Sequence, residues 1–245
     1  MIEVFQLTKS FHDPKRGEVR AVDAVSFQCK PGQIYGLLGM NGAGKTTCLR
    51  MLATILQATS GSALVFGHDI VREPDRVRAN VGFLSTATAL YGRLTAREMV
   101  DYCGRLHGLD EKTLSQRRDE IFAMLGMGEF SDRRCDKLST GVKQKVSIAR
   151  TLIHDPPVVI FDEPTLGLDV LTARTIVEFI FECRTRGKTV IFSTHVMSEV
   201  ERLCDVVGII HGGRLCAEGT LAQLRERSGA QNLEEVFIRL VEEVQ

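Results

Sequence analysis

The segment Gly39-Met40-Asn41-Gly42-Ala43-Gly44-Lys45-Thr46 constrains this chain more than any other. It fits G-x-x-x-x-G-K-[ST] and lies between a short apolar run, Ile34–Leu38, and a helical pattern beginning near Lys45. Glycines let the backbone turn so that successive N–H groups converge, an arrangement suited to phosphate oxygens. The helix start adds its positive dipole end. In such a cradle Gly39, Asn41, Gly42, Ala43 and Gly44 supply the backbone, and the Lys45 ammonium is expected to reach the β- and γ-phosphates of a nucleotide. The Thr46 hydroxyl is expected to ligate Mg²⁺, with Thr47 adding a further phosphate contact.

A second chemical feature lies far downstream. Val158-Val159-Ile160-Phe161 is an apolar strand that ends in Asp162-Glu163. A carboxylate at a strand tip beside the phosphate loop can hold Mg²⁺ or orient its water, the role expected of Asp162. Glu163 points elsewhere and is expected to polarise an attacking water. Alone, an acid pair before a polar turn is ordinary; joined to the phosphate loop, it reads as hydrolytic machinery.

The rest of the pattern is α/β. Ile2–Leu7 and Val22–Phe27 read as strands, with polar Asp13–Arg20 as a loop between them. The helix after the phosphate loop is expected to carry Leu49, Leu52, Ile55 and Leu56 on one face. Thr95-Ala96-Arg97-Glu98 has the form of a capping box, and helical patterns run to about Leu125 and again from Gly141 to Ile153, broken at Gly108 and Gly126–Gly128. Val158–Phe161, Thr189–Ser193 and Val206–Ile210 suit a covered, largely parallel sheet. Helices are expected near 170–185, 197–203 and 220–243, with a hairpin at Gly212-Gly213.

Composition narrows the partners. Lys+Arg and Asp+Glu balance at 31 each, so the basic excess usual in a nucleic-acid binder is missing and no nucleic acid is expected as a partner. Seven cysteines without C-x-x-C spacing propose neither a disulfide framework nor a zinc site. No window approaches the roughly 18 apolar residues of a spanning helix, and MIEVFQLTKSF lacks the apolar core of a signal peptide. A membrane role would therefore need a membrane part from another chain.

Further motifs make the pattern specific. Leu138-Ser139-Thr140-Gly141-Val142 resembles the LSGGQ signature of the ABC transporter ATP-binding subunits, and Ser147–Arg150 continues the signature helix. Pro164-Thr165-Leu166-Gly167-Leu168-Asp169 resembles the family's D-loop, and Ser193-Thr194-His195 its switch-histidine segment. Together with the phosphate loop and the acids, these motifs cover nearly the whole chain in the family's order.

The resemblance implies a P-loop NTPase core with an N-terminal antiparallel β-subdomain and an inserted α-helical subdomain. It divides residues 1–245 into a core (about 1–86 and 156–220), a helical signature part (about 87–155) and a helical tail (about 220–245). It implies ATP and Mg²⁺ as ligands and ATP hydrolysis coupled to transport. Ser139 and Gly141 would face the γ-phosphate bound by a second subunit, with a homodimer as the expected form. His195 would sense that phosphate or help hold the attacking water. Phe11 matches the position that stacks on adenine, although an aromatic there also suits a core. The implied partner is a polytopic membrane permease, docked over about residues 80–105 at the cytoplasmic face of the membrane.

Two departures matter. Thr86 stands near the slot where the family usually has glutamine, and Thr140 and Val142 replace the usual glycine and glutamine of the signature. These departures, with the run from Gly82 to Thr95, resemble the sodium-exporting NatA-type branch. The competing readings are a soluble ABC-type ATPase outside transport and a regulatory nucleotide binder with weak hydrolysis. The absence of a heptad array, a second ATPase unit and a basic excess disfavours the first. The altered glutamine slot and signature keep the second open.

Overall fold

In the computed structural model, residues 1–15, 17–85 and 89–243 are described. Thr86, for which direct metal ligation is not expected, lies outside them. The chain begins with two long antiparallel strands, β1 (Ile2–Asp13) and β2 (Gly17–Cys29). The expected loop at Asp13–Arg20 is instead the tip of this hairpin: Phe11 pairs with Val19 and Asp13 with Gly17. Strand pairing uses backbone groups, so a tip that projects into water tolerates a polar run. Ile2, Val4, Leu7, Val22, Val25 and Phe27 form the buried face. Strands β4 (Ser60–Val65) and β5 (His68–Asp69) complete an antiparallel sheet in the order β2-β1-β4-β5.

The second sheet is β10-β9-β3-β8-β7-β6, made of β3 (Ile34–Leu38), β6 (Val81–Ser85), β7 (Val158–Asp162), β8 (Thr189–Thr194), β9 (Val206–His211) and β10 (Arg214–Gly219). All neighbours pair parallel except β9 and β10. Every residue of β3, β7 and β8 is buried, as continuous apolar strands covered on both faces must be. One face packs on the antiparallel sheet and α1 (Lys45–Leu52), through Leu37, Leu49, Leu52, Ile160 and Ile191.

Helix α1 is shorter than expected. Thr54 takes a left-handed φ of 58°, with Thr54 N–H donating to Met51 O at 3.0 Å and Ile55 N–H to Arg50 O at 2.9 Å. This is a Schellman stop, which satisfies the last carbonyls of the helix. It throws Ile55 outward to 61% exposure, correcting its expected place on the buried face. Leu56 still packs on the core.

Beyond the short α2 (Pro74–Asn80), the other face of the sheet carries α3 (Ala96–Leu106), α4 (Glu111–Met124), α5 (Thr140–Leu152) and α6 (Val170–Thr185). Met99, Leu114, Ile148 and Ile180 share one apolar cluster with Phe161 and Phe192 of the sheet, so these helices and the sheet are one packed body. The expected capping box closes at α3: Glu98 N–H donates to Thr95 Oγ1 at 3.1 Å, and Thr95 N–H to Glu98 Oε2 at 2.8 Å. Gly108 and Gly126, at the helix breaks, have φ of 77° and 61°. Gly212 and Gly213, both at positive φ, turn β9 into β10 as the two-glycine signal predicts. After α7 (Met197–Leu203), α8 (Leu221–Ser228) and α9 (Leu233–Glu242) close the described chain. Helix α9 buries Leu233, Val236, Phe237, Leu240 and Val241 at helical spacing.

Candidate active site

The parallel sheet delivers its chemistry at the carboxyl ends of adjacent strands, where ligands of open α/β sheets bind. Strand β3 runs into the loop Gly39–Gly44 and then α1. A Cβ at Gly39 would lie 2.4 Å from Ile210 O, and one at Gly44 (φ 107°) would lie 2.4 Å from Ala21 O. Bare backbone is thus required for the loop to seat between β2 and β9. Its back is braced by Gly213 N–H, which donates to Ala43 O at 3.0 Å. The loop encloses a cavity of about 260 Å³ lined by Ala21, Asn41–Thr47, Glu163 and Leu166.

Inside it, the expected residues meet. Lys45 is 5% exposed, and its Nζ donates to Gly39 O at 2.7 Å and Met40 O at 3.2 Å. The same ammonium pairs with Glu163 Oε1 at 3.0 Å. Thr46 Oγ1 donates to Asp162 Oδ1 at 3.1 Å. Two hard oxygen donors side by side at the mouth of a phosphate cradle fit a cation such as Mg²⁺. Glu163 Oε2 lies 2.6 Å from His195 Nδ1, so Lys45, Glu163 and His195 form one polar chain from the cavity to an adjoining groove that Glu163 and His195 both line.

Glu163 has a φ of 51°, a left-handed conformation costing roughly 1–2 kcal/mol for a residue with a Cβ. That turn swings its carboxylate away from Asp162 and onto Lys45 and His195. It is held by Glu163 N–H, which donates to Ser193 Oγ at 3.1 Å and Ser193 O at 3.2 Å. Ser193 also donates its hydroxyl to Asp162 Oδ1 at 2.7 Å. Ser193 lies in the switch-histidine segment, where no local pattern assigns it a role. The signal is the register of β7 on β8, which sets Asp162 opposite Ser193 and which no local pattern reveals. Beside it, Thr194 Oγ1 donates to Glu199 Oε2 at 2.7 Å and accepts from Val196 N–H at 3.0 Å, fixing the turn that carries His195.

The remaining candidates sit apart. Phe11 is 44% exposed on β1 with Lys9 Nζ 5.1 Å over its ring, so of its two readings the core one fails. Neither Ser139 nor Gly141 is among the described residues lining the phosphate-loop cavity. Ser139 caps α5 by accepting from Val142 N–H at 3.4 Å and is exposed. Gly141 lies against α6: a Cβ there would stand 2.9 Å from Thr172 Oγ1 and Cγ2. Thr172 is itself fixed by Asp169, which caps α6 and whose carboxyl is held below its usual range by the Thr172 N–H. The signature end of α5 and the D-loop end of α6 are therefore packed together, one residue deep.

A glycine cradle leading from a central parallel strand into a helix, with an acid-tipped strand beside it, defines a phosphate-loop nucleotide-binding ATPase. Residues 22–166 match the family model of the ABC transporter. The chain is 41% identical over 239 residues to the ABC transporter ATP-binding protein NatA of Bacillus subtilis, covering 97% of both chains. It is 34% identical over 227 residues to the linearmycin resistance ATP-binding protein LnrL of Bacillus subtilis, covering 93% of this chain and 73% of that one. The solved structure of an ATP-binding subunit of an ABC transporter superposes with a TM-score of 0.88 at 28% identity, covering 98% and 99%. This chain belongs to the ABC transporter family as one of its ATP-binding, ATP-hydrolysing subunits.

Proposed function

We propose that the chain is the motor of an ABC exporter, hydrolysing Mg²⁺-ATP as a head-to-tail homodimer docked on a polytopic membrane permease. The observation that carries this is the division of the site. Lys45, Thr46, Asp162, Glu163 and His195 converge within one protomer, while Ser139 and the N-terminus of α5 open to solvent elsewhere. A capped helix start with an exposed hydroxyl is an anion-binding edge, and a second copy would bring it over the first copy's cradle. Val170 and Leu171, at the start of the helix on which Gly141 packs, are 82% and 76% exposed, and Leu166 at the cradle is 54% exposed, apolar surface that such a contact would cover.

In this reading Thr46 and Asp162 would hold Mg²⁺, which when bound would supply charge neutralisation at the phosphates. Lys45 exchanges its loop carbonyls and Glu163 for phosphate oxygens. Glu163, released, takes a proton from water, and His195 keeps it oriented. Gly39, Asn41, Gly42, Ala43, Gly44 and Thr47 supply the cradle, Ser139 and Gly141 the partner's edge, and Phe11 the exposed ring for adenine. The whole of 1–245 acts as one ABC ATPase domain with the core, helical and tail divisions expected from its sequence.

No helix among the described residues is long and apolar enough to cross a membrane. The permease would hold the subunit at the cytoplasmic face, and its docking surface includes the exposed Tyr91, Tyr102 and Leu106. Sodium is the cargo proposed, on the NatA-type run of Gly82 to Thr95. The test is purification from native membranes, followed by ATP-dependent sodium efflux from vesicles carrying the purified complex. Recovery without a polytopic partner overturns the transport reading, and efflux of another solute alone overturns the sodium assignment.

A further inference from the structure

Pro164 follows the base Glu163 and is buried, yet its carbonyl belongs to a turn outside any strand or helix. A buried carbonyl needs a donor. Gln144, in the second turn of α5, donates its side-chain Nε2 to Pro164 O at 2.7 Å. A carbonyl can only accept, so the amide nitrogen must face it. The turn is otherwise tied through Glu163 itself: Glu163 N–H to Ser193, and Leu166 N–H to Glu163 O at 3.2 Å. Gln144 is thus the tie from α5 to the residue beside the left-handed Glu163.

We infer that Gln144 is a positioning residue for ATP hydrolysis, which sets the Glu163 turn against α5 through the Pro164 carbonyl. The same helix begins at Ser139, the edge assigned above to the partner's phosphate, and Gly141 packs on α6 at Thr172. Gln144 therefore fixes the distance between the two half-sites that one protomer contributes to a dimer: its own base and the edge it lends. Its side chain also lines a groove of about 450 Å³ with Leu90, Gly92, Cys135, Thr140 and Lys143. The tie is within reach of whatever occupies that groove. This inference rests on the dimeric reading given under the proposed function.

The test compares wild-type protein with Gln144→Met, which keeps the length and apolar stem, and Gln144→Glu, which sets a carboxylate against a carbonyl. ATP turnover, its KM, its Hill coefficient and binding of ATP to the monomer are measured for each. Both variants should lose about tenfold in kcat, the worth of one part-buried hydrogen bond, with Gln144→Glu the lower. Monomer affinity and KM should stay within about twofold and the Hill coefficient should fall toward unity, a pattern that general unfolding does not give. A kcat within twofold of wild type in both variants overturns the inference. So does a loss in kcat matched by an equal loss in ATP affinity. If wild-type protein hydrolyses ATP with no cooperativity and no ATP-driven dimer, the dimeric reading fails instead, and a kcat loss in the variants still tests the positioning of Glu163 by itself.

Discussion

At the phosphate loop, Lys45, Thr46, Asp162, Glu163, Ser193 and His195 are already joined by contacts of 2.6 to 3.1 Å, and Lys45 and Asp162 are almost wholly buried. Outside that cavity, Ser139 caps α5 in the open, and Val170, which begins the helix on which Gly141 packs, is also exposed. The first region is internally satisfied. The second is held just as firmly by Gly141 on Thr172 and Gln144 on Pro164, but its reactive edge faces outward. The contrast teaches that rigidity and completeness are separate properties: both regions are tied in place, and under the proposed function the exposed one would be completed by a partner.

The largest effect should come from breaking the complete end. Glu163→Gln keeps the shape of the side chain and removes the base, so turnover should fall roughly a hundredfold to ten-thousandfold. ATP binding should persist and a dimer should accumulate in size-exclusion chromatography with ATP. Full turnover by this variant would remove Glu163 from the chemistry. Lys45→Ala should weaken ATP by roughly a hundredfold in calorimetric titration, because it deletes a buried cation of the cradle. Unchanged affinity would mean that the backbone amides alone hold the phosphates.

Ser139→Ala probes the incomplete end. Turnover should drop about tenfold while the monomer's ATP affinity stays within about twofold, since the hydroxyl lies outside the cavity of its own chain. An equal loss in both would show that the two regions act on one bound nucleotide within a single protomer, and the comparison would collapse.

The smallest effect lies away from both ends. His154 stacks on His107 at 3.8 Å between ring centroids, and burial, reinforced by the charges of His107, Arg117 and Lys188, pushes it down to about 4. Its folded-state value is below its ordinary 6.5, so between these values the unfolded chain binds more protons than the folded one. Stability should therefore be fully present at pH 7.5 and fall by about 1 kcal/mol by pH 5, allowing for solvent screening at a half-buried ring. Thermal melts should show this slope flattened in His154→Phe. A slope equal to wild type would assign the acid sensitivity to other groups.

Local chemistry was legible because its causes are local. The cradle Gly39–Thr47, the acid tip Asp162-Glu163, the capping box at Thr95 and the glycine hairpin at Gly212-Gly213 each depend on residues within a few positions of one another. Sequence order and residue type are enough to state them. Two local readings went wrong for equally physical reasons. Polar Asp13 and Gly17–Arg20 are strand on either side of a short turn because pairing is a backbone matter, and Ile55 leaves its face because Thr54 closes a Schellman stop.

What the tertiary structure alone decided is which distant groups touch. Ser193 became the hinge of the site only when β7 and β8 fell into register, and Gln144 only when α5 settled against the turn after β7. For Phe11 the sequence allows stacking on adenine or a place in the core, and the hairpin, which leaves the ring 44% exposed, removes the core. The sequence by itself determined an ATP cradle with its acids and the family order of motifs around it. Only packing, which joins residues by burial and backbone register rather than by spacing, decided that Lys45, Thr46, Asp162, Glu163 and His195 meet in one chain while Ser139 stays exposed outside their cavity.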